Sequence, residues 1–339
     1  MRIREWGFTP GNLPTGPRNA ITDVPGVIVG HFAVNDEAHH TGVTMILPRE
    51  DIFYHRCTAA CHVINGFGKT AGLVQMEELG QLETPIALTN TLNVGLIYDA
   101  LVEYTANICR QHGDILKSVN PVVGECNDGI LNKIQDRVLG YPEMMAAVES
   151  ASKEVREGCV GAGTGMICHG LKGGIGTASR QVILADRCYT VGMLCLCNHG
   201  MLEELNILGR KPGKEIRERL EKQLKMEDQG SCILVLATDI PLSSRQLKRV
   251  VKRSGAGLAR CGSFWGHGSG DIAIGFTTAH DLKRDEEATI LQQTFLNESL
   301  LDSVFAAAAE CAEECVLNAL SGAEALGECH SLSEFRDLI

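Results

Sequence analysis

Short aliphatic runs broken by glycine-bearing turns recur along the chain: "GVIVGHF", "GVTMILP", "TPIALTNTL", "QVILADRCYTVGMLCLCNHG", "CILVLATD" and "DIAIGFTTAH". Several are apolar at consecutive rather than alternate positions, the pattern of a strand covered on both faces. Helical periodicity lies between them, over 67–80, over 93–112, and over 142–157 with Pro142 near the start. A last helix is predicted in "ESLLDSVFAAAAECAEECVLNALSGAE", where Leu301, Val304, Phe305, Ala308 and Cys311 form one stripe. The helices separate groups of strands instead of following every strand. A layered α/β sandwich, with helices packed on sheets, satisfies that order. The 339 residues can bury a large core, and neither an internal repeat nor a low-complexity linker divides them, so a single domain is expected.

One segment differs in composition. "GRKPGKEIRERLEKQLKMEDQG", residues 209–230, is almost entirely charged or small, and predicts a solvated helix and loop. It ends on Gly230, and Ser231 then opens the apolar run Ile233-Leu234-Val235-Leu236. A simple turn would explain this step. A backbone cut would explain it equally, because it would turn Ser231 into an N-terminus carrying a hydroxyl nucleophile and its own base. An α-amine has a reference pKa of about 7.7–8.0, suited to proton transfer near neutrality.

Glycine clusters mark other candidate positions. "GCVGAGTGMICHGLKGGIGTASRQ" lacks GxGxxG and leads into a strand, so tight turns or close backbone approach fit it better than nucleotide binding. "CGSFWGHGSGDIAIGF" sets Ser269 and Asp271 two apart before a strand, where alternation sends both side chains to one face. Such a pair can handle a proton, or it can belong to a hairpin turn. Asn198 ends the strand in "LCLCNHG", where its carboxamide could face a developing oxyanion or cap the turn. No GxSxG elbow is present to build a Ser-His-Asp triad.

Charge and cysteine usage exclude other classes. The net charge of −11, without a long basic run, argues against nucleic acid or an anionic membrane as partner. Nowhere do about eighteen apolar residues run together, and the N-terminal stretch lacks a signal-peptide core, so a cytoplasmic location is expected. Fourteen cysteines then read as free thiols. Cys311 and Cys315, four apart on a helix, would face one way as small apolar side chains. Cys195-x-Cys197, His55-x-Cys57 and Cys61-His62 do not make paired CxxC knuckles, so no metal and no cofactor is expected. Clustered His and carboxylate ligands for a two-metal aminopeptidase are missing as well.

Nine motifs in order carry a resemblance that runs nearly end to end. They are "NAITDVPGVIVGH", "NGFGKTAGL", "ETPIALTNTLNVG", "PVVGECNDG", "GTGMICHGLKGGIGTASR", "YTVGMLCLCNHG", "GSCILVLATDIPL", "GSGDIAIGFTTAH" and "CVLNAL". The chain resembles the DmpA-type L-aminopeptidase/D-esterases, the family that includes the β-peptidyl aminopeptidases. The resemblance implies an αββα sandwich of the DmpA/ornithine-acetyltransferase type. It also implies self-cleavage at Gly230–Ser231 into an α segment, 1–230, and a β segment, 231–339, that stay associated, and a homo-tetramer of processed pairs.

By the same resemblance Ser231 attacks the carbonyl of a substrate's N-terminal residue and forms an acyl-enzyme. Ser269 and Asp271 match the residues that orient and tune the nucleophile or its amine, with Asp271 standing where some relatives carry Glu. Asn198 matches the oxyanion-hole asparagine, and Glu125 in "VVGECNDG" is the candidate for holding the substrate ammonium. The active-site tyrosine of some members has no counterpart in "ECNDGIL", which offers Asn127 and Ile130. Expected substrates are short peptides, amides or esters with an L-, D- or β-amino acyl terminus. Two alternatives stand beside this one: an acyltransferase related to ornithine acetyltransferases, which use threonine as nucleophile, and an uncleaved, non-enzymatic relative.

Overall fold

The structure is a computed structural model describing residues 1–220 and 230–339. Twelve strands occur among the described residues: β1 (Ile28–Asn35), β2 (His40–Leu47), β3 (His55–Gly66), β4 (Gln81–Leu82), β5 (Ile86–Asn90), β6 (Val122–Cys126), β7 (Ile167–Cys168), β8 (Leu171–Lys172), β9 (Gly174–Leu184), β10 (Arg187–Asn198), β11 (Ser231–Thr238) and β12 (Gly270–Lys283). The α-helices are α1 (Leu73–Leu79), α2 (Val94–Gln111), α3 (Tyr141–Glu149), α4 (Gly213–Arg219), α5 (Ser244–Val251), α6 (Ser254–Arg260) and α7 (Leu301–Gly322).

Two main sheets result, one of four strands in the order β1-β2-β5-β6 and one of six in the order β4-β3-β12-β11-β10-β9. Their facing surfaces form one core, in which Ile46, Leu88 and Val122 meet Leu196, Ile233 and Ile274. The far face of the four-stranded sheet packs Val43, Ala87 and Val123 under Leu101 of α2 and Met144 of α3. The far face of the six-stranded sheet packs Met193, Leu234 and Ala273 under α5, α6 and α7. The order is helix, sheet, sheet, helix: the expected αββα sandwich. It also explains the unbroken apolar runs. On β11, Ile233, Val235 and Ala237 face the other sheet while Cys232, Leu234 and Leu236 face the helices, so neither side meets water.

Small residues let the layers close. A Cβ on Gly176 of β9 would collide with the Cys315 carbonyl oxygen and lie 2.8 Å from the Ala319 nitrogen. The glycine-rich stretch before Gln181 therefore serves close approach of strand to helix, as well as a tight 3-10 turn at Gly161–Gly163. Cys311 and Cys315 share a face of α7 and donate to the carbonyls of Val191 and Met193 on β10, both at 3.4 Å. The same helix is pinned by buried ions. Arg180 of β9 binds Glu310 at 2.9 Å and Glu314 at 2.7 Å, and Arg4 binds Glu314 at 2.6 Å.

Boundaries moved where turns intervened. The helix predicted over 67–80 is confined to α1, which begins after Gly72 at φ +89°, leaving 67–70 free to enter the site. The helix predicted over 142–157 ends at Glu149, because Ser152 forms a bridge with Val29 of β1. The long run 181–200 is a hairpin arm, turned at Ala185, whose φ is +52°. Within the hydrophilic segment 209–230 the structure shows α4; residues 221–229 lie outside the described residues. Among the described residues no helix is long and apolar enough to cross a membrane.

Candidate active site

Ser231 is the first residue of β11, paired with Asn198 of antiparallel β10 on one side and with Gly270 of parallel β12 on the other. It is buried, and strand alternation turns its side chain to the face shared with Ile233, between the two sheets. Its Oγ accepts from the Gly270 N–H at 3.2 Å. Gly270 must be glycine here. A Cβ on it would lie 3.1 Å from the Ser231 Oγ and 2.6 Å from the Gly68 backbone. Gly230, just before, lies so close to β10 that a Cβ would collide with the Asn198 carbonyl and approach His199 Cα to 2.6 Å. Close backbone approach is thus the structural reason for the Gly-Ser step.

Asn198 ends β10 directly opposite Ser231 and faces the same way. Its carboxamide is clamped from both ends. The Ile167 N–H donates to its Oδ1 at 2.8 Å, and its Nδ2 donates to the Asn127 carbonyl at 3.0 Å. These partners fix which end is oxygen and which is nitrogen, and one amide hydrogen is left to donate elsewhere. A group held this firmly beside a hydroxyl meets the requirement for a preorganised oxyanion donor.

Ser269 and Asp271 form the pair that their spacing predicts. The Ser269 hydroxyl donates to Asp271 Oδ2 at 2.5 Å, with both residues buried. Asn65 of β3 fixes the approach to the strand by donating to the carbonyls of Gly266 at 2.9 Å and Ser269 at 2.6 Å. Asp271 pairs in register with Cys232, whereas Gly270 pairs with Ser231. Alternation therefore brings the Ser269–Asp271 pair to β11 from the face opposite the Ser231 hydroxyl.

Glu125 comes from the other sheet. It lies on β6, is 1% exposed, and accepts from the Lys69 N–H at 2.8 Å and from the Thr91 hydroxyl. A Cβ on Gly68 would lie 3.5 Å from Glu125 Oε1 and 3.5 Å from Gly270 Cα, so Glu125 and Ser231 border the same glycine-walled space. Next along β6, the Cys126 thiol donates to the Ser231 carbonyl at 3.2 Å. Burial, with Glu125 beside it, holds that thiol well above its usual pKa and keeps its proton in place. All five predicted site side chains and Gly230 thus gather at the ends of β6, β10, β11 and β12. Lys69, Thr91 and Ile167, not singled out in the sequence, complete the site together with Asn127, which the sequence offered only in place of a tyrosine and which serves here through its carbonyl. They act mainly through backbone atoms, which sequence motifs do not register.

Comparison with known proteins gives the family. Residues 19–331 match the family described as Peptidase family S58. The chain belongs to peptidase family S58. The β-peptidyl aminopeptidase BapA of Sphingosinicella microcystinivorans is 35% identical, over 96% of this chain and 86% of that protein. Among solved structures, the PH0078 protein from Pyrococcus horikoshii OT3 superimposes with a TM-score of 0.92 at 39% identity, covering 100% of this chain and 98% of that one. The L-aminopeptidase D-Ala-esterase/amidase from Ochrobactrum anthropi, described as a prototype for the serine aminopeptidases and a variant of the Ntn-hydrolase fold, gives 0.89 at 36% identity, covering 96% and 92%.

This S58 chain is accordingly a hydrolase of the N-terminal-nucleophile type, an aminopeptidase. Chemically, the site offers a strand-end hydroxyl, an anchored amide donor across from it, and a carboxylate that can receive a cation. Glu125 already accepts two hydrogen bonds, and an ionised carboxylate has lone pairs for more.

Proposed function

We propose that the Ser231 hydroxyl cuts the Gly230–Ser231 bond and that Ser231 then serves as the N-terminal nucleophile. The observation that carries this reading is the seat of Ser231, opposite Asn198 and behind a glycine that no larger residue can replace. In the cut, Oγ adds to the Gly230 carbonyl, the C–N bond breaks to give an ester and a free Ser231 amine, and water hydrolyses the ester. The products are 1–230 and 231–339. They stay together because pairing crosses the cut twice: β10 keeps eight register pairs with β11, and β3 keeps ten with β12.

In turnover the substrate's N-terminal ammonium binds Glu125, which sets its first carbonyl over Ser231. The Ser231 amine takes the hydroxyl proton as Oγ attacks, and the spare Asn198 hydrogen stabilises the oxyanion. Ser269 and Asp271, reaching β11 from the opposite face, position and tune that amine rather than the hydroxyl. The same proton then leaves with the amine, alcohol or peptide product, and water releases the acyl group.

Substrates are short peptides, amides or esters bearing an L-, D- or β-amino acyl terminus, in keeping with the names of the relatives. Processed pairs assemble as a homo-tetramer. Fourteen free cysteines, most of them buried, suit a reducing compartment, and we place the protein in the cytoplasm. Intact mass under denaturing conditions tests the cut. Wild type should give two fragments, beginning at Met1 and Ser231, and Ser231→Ala should give one full-length mass. A single mass from folded wild type would overturn the reading.

A further inference from the structure

One cluster near the site has no part in this chemistry. Cys197 and Cys232 are register partners on β10 and β11, and both turn to the helix-facing side, behind Asn198 and Ser231. His199 follows Asn198. The ligand atoms of Cys197, His199 and Cys232 all lie within 4.8 Å of one another, and all three residues are buried. An independent observation points to a ligand. His199 is 1% exposed, yet neither ring nitrogen has a hydrogen-bond partner among the described residues. Buried thiols can pass as small apolar side chains, but a buried imidazole unpartnered at both nitrogens cannot.

We propose that Cys197, His199 and Cys232 bind a thiophilic d10 cation of the zinc class. Two thiolates and an imidazole are the donors such an ion prefers. Zinc–sulfur bonds of about 2.3 Å put tetrahedral ligands about 3.7 Å apart, so movements of roughly 1 Å would close the site. Binding releases the two thiol protons to solvent, and the divalent ion with two thiolates is neutral, as a buried site requires. A second trio, Cys168, His169 and His199, meets the same distance limit. It would leave a net positive charge in the core, and His169 already spends Nδ1 on the Met201 carbonyl at 2.9 Å. It is the weaker donor set.

The location gives the ion a role. Cys197 and His199 belong to the segment before Gly230 and Cys232 to the segment after it, so the ion would join the two products of the proposed cut. That role rests on the cleavage reading; the binding site does not.

The test is cobalt(II) titration of the full chain, reduced with a phosphine. Wild type should take up one equivalent, with thiolate-to-cobalt charge-transfer bands and the visible bands of a tetrahedral ion, and zinc should displace it. Cys197→Ser and Cys232→Ser should each lose the bands, while Cys168→Ser keeps them. Should Cys197→Ser not fold by circular dichroism, Cys197→Ala, which buries no hydroxyl, replaces it. Ser231→Ala should bind as wild type does, which separates this result from the fate of the cut. No uptake by reduced wild type would overturn the proposal. So would bands that persist in both the Cys197 and Cys232 variants, which would place the ion on accessible thiols such as Cys188.

Discussion

The two sheets contribute differently to one site. The six-stranded sheet holds Ser231 and Asn198 as cross-strand partners, so their relative position is set by the hydrogen-bond register of β10 and β11. The four-stranded sheet holds Glu125 through a loop amide at Lys69 and a hydroxyl at Thr91, and the side chain reaches the site past Gly68. On the proposed reading, one sheet fixes the atoms that make and break bonds, and the other fixes the group that receives the substrate ammonium. Because separate layers support these functions, damage to each should be separable: the first should act on kcat and the second on KM.

The largest break is the nucleophile itself. Ser231→Ala should end self-cleavage, and turnover should fall by about 10⁶-fold, the scale seen when a serine nucleophile is removed. Rates near wild type on amino-acyl amides would move the chemistry elsewhere. Asn198→Ala should come next, lowering kcat by about 10²–10³ with KM nearly unchanged, as for a lost oxyanion donor. A change within about twofold would make the clamped amide a structural tie between β10 and Asn127.

Glu125→Gln sharpens the contrast from the other sheet. Glutamine keeps an acceptor for the Lys69 N–H and can donate its amide to the Thr91 hydroxyl oxygen, but it removes the charge. A charge-assisted hydrogen bond worth about 1.5–3 kcal/mol predicts a KM rise of about 10- to 100-fold with little loss of kcat. Steady-state kinetics on a free amine substrate and its N-acetylated counterpart would check it; a fall in kcat alone would reassign Glu125 to the chemical step. Ser269→Ala should do less, slowing processing and turnover by about tenfold with unchanged melting. Its effect should shift the pH–rate profile if the residue acts through the Ser231 amine, as proposed.

The parts of this picture that the sequence carried are those written in local periodicity. Consecutive apolar positions in "CILVLATD" announced a strand buried on both faces, and the stripe from Leu301 to Cys311 announced α7. Ser269 and Asp271 were legible because two residues of strand spacing fix a common face. Meetings between strand ends were not legible. Lys69 and Thr91 reach Glu125 from 56 and 34 residues away, and helical periodicity over 67–80 hid the loop that delivers Lys69. The Cys197–His199–Cys232 trio escaped for the same reason. Its ligands become neighbours only through the register of β10 with β11, not through any knuckle spacing.

The smallest effect separates the sheets by stability instead of catalysis. His31 lies on β1 of the four-stranded sheet, with Nδ1 at 3.0 Å from the Thr44 hydroxyl. Burial, reinforced by the Arg156 charge, lowers its pKa to about 4 from the ordinary 6.5. Between those values the unfolded chain binds a proton that the folded chain refuses. Stability is therefore full above pH 6.5 and is lost as pH falls towards about 4, reaching about 2 kcal/mol at pH 5 from this residue. Urea melts of wild type and His31→Gln at pH 7.5 and pH 5 measure it, and the variant should lose less on acidification by about that amount. Equal losses in the two proteins would mean that His31 takes up its proton in the folded state, and that the four-stranded layer is looser at β1 than its packing indicates.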